Sequence, residues 1–142
     1  MIDLVNVTTL RYLTHGRASP VLLVHTATAP NAVLHTLPAL PRELWAPSLA
    51  SVWVVTAAIT AAYAPSRPVP RADLPVALDS SDAGHDVMER AVAHQDEHVI
   101  KFADTAVDVY ARTGNSDALA AAIHVSQLID RRANARPWSL DT

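Results

Sequence analysis

The sequence predicts an all-α fold, a compact domain of about five to six helices with a proline-rich loop near residues 65–82. Three observations predict it. Apolar residues recur at three- and four-residue spacing through most of the chain, the period of a helix with one buried face. The ten prolines fall largely where such stripes begin or end. Capping residues stand at several of the same boundaries: Ser19 before Pro20, Asp96, Gly114, and Asn115 or Ser116.

Taken in order, residues from Val5 to Leu13 form a first short helix, ended by His15-Gly16. Ser19-Pro20 is a good helix start, with serine as N-cap and proline in the first turn. It opens Val21-Leu22-Leu23-Val24-His25, an apolar run that composition alone would also allow as a strand. Pro30 begins a further segment, with Val33, Leu34 and Leu37 on one side, and Pro38 and Pro41 then enforce a turn. Pro47-Ser48 launches a long apolar helix through Tyr63, stopped by Ala64-Pro65. The prolines and serines from Pro65 to about Asp82 show no period and read as loop.

Asp82 or Gly84 starts the next helix, through Val87, Met88, Ala91 and Val92. It either runs on or is re-capped by Asp96, with a fresh helix from Glu97 to Arg112 whose stripe is Val99, Phe102, Ala103, Ala106 and Tyr110. Gly114 stops it, and a last helix runs from Asp117 to about Ile129. Residues 1–130 thus form a single helical domain, and Arg131 to Thr142 form a polar, loose tail.

With half its residues hydrophobic and 18% charged, the chain is globular in composition. A formal charge of −3 and the lack of a basic block argue against a nucleic-acid partner. The absence of cysteine removes disulfides, iron–sulfur clusters and thiolate metal sites. The first ten residues lack the features of a signal peptide, so a cytoplasmic protein is expected. Leu44 to Pro65 carries no charge, but Pro47 leaves an apolar stretch short of the roughly 20 residues a membrane span needs. A buried core helix is therefore expected there, and no membrane partner.

Lys101 is the sole lysine beside ten arginines. If His94 to Lys101 is continuous helix, His94, His98 and Lys101 project from one face at i, i+4 and i+7, and two imidazoles one turn apart can close on one metal ion. Lysine joins such a site only after losing its ammonium charge, by carbamylation, or else serves it as acid/base. The competing reading is an exposed polar face on which Glu97 pairs with Lys101. His25, at the end of an apolar run, needs a partner or a metal if buried. His35 and His124 lie on apolar helices as ordinary core histidines, and His15 and His85 sit near segment ends. No glycine-rich phosphate loop and no nucleophile-elbow spacing is present.

The run His-Gln-Asp-Glu-His-Val-Ile-Lys-Phe, residues 94–102, resembles the C-terminal signature of questin oxidase-like proteins. A second block agrees, from Gly16-Arg17-Ala18-Ser19-Pro20 through His25 to Pro30, followed by Leu37-Pro38-Ala39-Leu40-Pro41. The region Asp108 to Gly114 agrees as well, so the resemblance extends from about residue 8 to residue 130. It implies a predominantly helical oxygenase acting on polyketide-derived aromatics such as anthraquinones. The implied chemistry is oxidative ring opening or C–C cleavage with O₂, with NADPH as reductant in some members. It also implies non-haem Fe(II) on His25, His94, His98 and Lys101, the lysine being modified. Members of the family are longer, and this chain resembles their C-terminal part. The iron site in so short a chain would be incomplete unless a complementary N-terminal half supplied the rest. The alternative is a non-catalytic helical protein, a truncated paralogue that forms homo-oligomers or docks on a partner through its apolar helix.

Overall fold

The computed structural model describes residues 1–77, 80 and 82–130. Within them the chain forms six α-helices and no strand. These are α1 (Ile2–His15), α2 (Pro20–Thr36), α3 (Trp45–Tyr63), α4 (Ala83–His94), α5 (Glu97–Thr113) and α6 (Asp117–Leu128). The all-α expectation holds, while the expected loose tail from Arg131 lies outside the described residues.

The core gathers around α5, whose stripe Val99, Phe102, Ala103, Ala106 and Val109 is fully buried. Alanines 118 and 120–122 on α6 are buried too, and such small side chains let neighbouring helices approach closely. Tyr12 of α1 meets Phe102 with ring centroids 4.4 Å apart and donates from its hydroxyl to the Pro20 carbonyl at 3.2 Å. A Cβ at Gly16 would stand 2.7 Å from the Tyr12 ring, so glycine is what lets the chain turn past it. Leu23 and Val24 of α2 and Leu119 and Val125 of α6 complete the same cluster.

Several boundaries differ from the sequence expectation. The run Val21 to His25 is helix, and α2 continues through Pro30, which is fully buried inside it. Proline there removes one intrahelical bond, yet α2, packed against α1, α3 and α5, stays continuous through it. Helix α1 begins at Ile2 and α3 at Trp45, which places Pro47 in the first turn, where a missing N–H leaves no carbonyl unsatisfied. Between α4 and α5 the re-capped alternative is the one adopted. Gln95 takes a left-handed φ of 67°, and the Asp96 carboxylate accepts from the backbone N–H of His98 and Val99 at 2.8 and 3.3 Å. Gly114 ends α5 with φ 67°, as its position predicts. The proline-rich connection is anchored: the Val69 N–H donates to the Thr14 carbonyl at 2.9 Å, and Leu74 is buried in the core.

Helix α3 departs most from expectation. It is not a core helix. Only 11% of its most apolar stretch is buried; Val52 and Thr56 are inside, while Trp53, Val54 and Val55 are each more than half exposed. Its main packing partner is α2.

Candidate functional site

Helices α2 and α5 lie side by side and leave between them an open groove of about 570 Å³. His25 and Lys101 line one part of it, with Thr28, Asp104, Thr105 and His35 along the rest. His25 comes from α2 and His98 from the first turn of α5. Their rings meet edge to face, with centroids 5.4 Å apart and planes at 83°. Residues 73 positions apart in sequence are thus brought together by helix packing alone.

The local electrostatics follow from the Asp96 cap. The Asp96 carboxylate, whose residue is 4% exposed, lies 3.3 Å from His98 Nδ1, the ring that begins the helix it caps. The carboxylate that caps the helix thus also stands beside the imidazole. Lys101 Nζ donates to Glu97 Oε2 at 2.9 Å, and both side chains are well exposed. The ordinary i, i+4 pair considered from sequence is present. Burial holds His25 below the usual imidazole pKa, helped by electrostatic repulsion from His98 and Lys101 and opposed by Glu97. His25 is accordingly neutral near pH 7, with a lone pair to offer.

His94 does not join this group. The left-handed turn at Gln95 ends α4, so the i, i+4 relation to His98 that continuous helix would provide is broken. The His94 ring is buried instead against the end of α6, its Nε2 3.0 Å from the Ile129 carbonyl. The four expected metal ligands thus divide. His25, His98 and Lys101 cluster at α2 and α5, and His94 is held elsewhere. No group of three or more His, Cys, Asp or Glu side chains among the described residues is placed to hold a metal ion.

A second cluster in the groove had no local sequence signal. His35 Nε2 lies 2.7 Å from Asp108 Oδ2, and Asn31 Nδ2 donates to the same oxygen at 3.3 Å. Asn31 and His35 are one helical turn apart on α2, but their common acceptor is on α5, and only the fold reveals it. His35 was expected to be a core histidine; its side chain is exposed and reaches α5 only through Asp108. His124 is a buried core histidine as expected, its pKa lowered chiefly by burial. His85 is solvent-exposed on the first turn of α4, 3.2 Å from Glu89. His15, at the end of α1, sits 2.6 Å from the Thr14 hydroxyl.

Comparison of the chain with protein families, with curated proteins and with solved structures returned no match.

Proposed function

We propose that the α2–α5 groove is the working face of a questin oxidase-like oxygenase domain, taking a polyketide-type aromatic, with His25 and His98 as its metal-binding imidazoles. The convergence of His25, His98 and Lys101 carries this reading. The resemblance grouped those residues from blocks far apart in sequence, and the packing of two helices brings them together.

Two imidazoles suit a divalent transition metal, but non-haem oxygenase sites use three protein ligands. The described residues of this chain supply two, so further ligands would come from a complementary chain, water or substrate. A bound Fe(II) would supply O₂ activation. The chain's own side chains do the rest. His25 is neutral and presents a lone pair. Asp96 stands beside the His98 ring, placed to steady it. Lys101, lining the groove, is suited to donate a hydrogen bond to a phenolate or quinone oxygen, a role distinct from that of a ligand.

Anaerobic calorimetric titration of the full chain with Fe(II), and with Co(II) as an air-stable surrogate, tests the reading. His25→Ala and His98→Ala should each weaken binding by more than the roughly tenfold that loss of even an outer-shell partner costs. His94→Ala should leave it unchanged. Absence of binding, or a His94→Ala loss equal to the other two, would sink the assignment.

A further inference from the structure

We propose that the outward face of α3 pairs with α3 of a second copy of this chain, the two helices crossing antiparallel about Val54. From Leu44 to Ser66 there is no ionisable side chain except Tyr63, and the mean hydropathy of the helical span is 1.5. With Val52 and Thr56 turned inward toward α2, the outward ridge is Ala50, Val54, Ala57 and Ala61, flanked by Trp53. Alanines beside one valine let two helix backbones approach closely, and Trp53 supplies the large contact at the edge.

The apolar surface invites a partner: Leu44, Leu49, Trp53, Val54, Val55 and Tyr63 are each 36–59% exposed along this one helix, a concentration that marks an interaction face rather than singly scattered residues. The charges fit as well. Val54 is the midpoint of α3, so an antiparallel two-fold sets each N-terminal end beside the other copy's C-terminal end. Glu43 would then face Arg67 of the second copy. Neither Glu43 nor Arg67 takes part in an ion pair among the described residues.

A lipid bilayer is the competing occupant, and the packing disfavours it. Helix α3 lies along α2, which carries His25, Asn31 and His35 and borders Asp104 and Asp108 of α5. A bilayer deep enough to enclose α3 would draw those polar groups toward hydrocarbon, where each is costly. A second α3 covers the same apolar surface and leaves the α2–α5 groove in water.

Sedimentation equilibrium of the full chain tests the proposal. The expected result is a dimer that Val54→Arg weakens by about tenfold or more, with helicity by circular dichroism unchanged because Val54 faces outward. Glu43→Arg should weaken the dimer, and Glu43→Arg combined with Arg67→Glu should restore it. A chain monomeric to about 1 mM, or a dimer indifferent to Val54→Arg, would overturn the pairing. So would a monomer that floats with phosphatidylcholine vesicles. Failure of the double charge exchange to restore the dimer would overturn the antiparallel arrangement.

Discussion

Helices α3 and α5 are of similar length, 19 and 17 residues, and use hydrophobicity in opposite ways. Helix α5 is the more polar, yet its apolar residues fall on one stripe and that stripe is buried completely. Helix α3 is the most apolar helix of the chain, yet most of it faces outward. A stripe tells a helix which way to face, because one orientation buries far more apolar area than any other. Helix α3 has no such contrast: every orientation leaves apolar surface uncovered. Total hydrophobicity thus predicts that a helix wants cover; only its pattern predicts where it packs within the same chain.

The largest expected effect tests the buried side of this comparison. Phe102→Ala should cost about 3–5 kcal/mol, since the ring is fully buried and its loss opens a cavity beside Tyr12. Trp53→Ala removes a larger side chain. In denaturant melts at dilutions where a second copy has dissociated, it should change stability by no more than about 0.5 kcal/mol. Equal losses from the two would mean that α3 is covered within the monomer.

A smaller effect tests the ends. Helix α5 is capped by Asp96 at its start and by left-handed Gly114 at its end, whereas Leu44, at the N-cap position of α3, offers no side-chain cap. Asp96→Ala should cost about 1 kcal/mol in the same melts. It should also release the His98 ring, seen as broadening or displacement of its imidazole resonances by NMR. A cost near zero would show that tertiary packing alone sets the start of α5.

What was legible in the sequence follows the same division. The Asp96 cap, the Gly114 stop and the α5 stripe were readable because each depends on neighbours within a few residues. The continuity of α2 through Pro30 was not, because the bond lost there is outweighed by contacts with three other helices. The His94–His98 spacing failed for a local reason that sequence left open: the break at Gln95 was one of two allowed readings, and helical spacing holds only without it. His25 beside His98 came from resemblance between distant blocks, never from spacing. His35 with Asp108 had neither signal, since nothing local links residues 73 positions apart.

The smallest expected change is the most informative about the groove. Lys101 and Glu97 form an exposed pair, so Lys101→Met should leave stability unchanged within error. Its effect should fall on His25. Burial is the main cause that lowers the His25 pKa, but the Lys101 charge adds to it and the Glu97 charge opposes it. Removing the lysine charge should therefore raise the His25 pKa, and Glu97→Gln should lower it. The sign also sets the pH range. A histidine whose pKa is lowered in the fold favours its neutral form, so its contribution to stability is fully present above the unfolded value near 6.5 and is lost as pH falls below it. Lys101→Met should weaken that acid sensitivity and Glu97→Gln should strengthen it. Two-dimensional NMR titration of the His25 ring reads both shifts directly. Shifts of the same sign for the two substitutions would show that His25 does not sense the charges at the start of α5, and would separate it from the site it is proposed to share with His98.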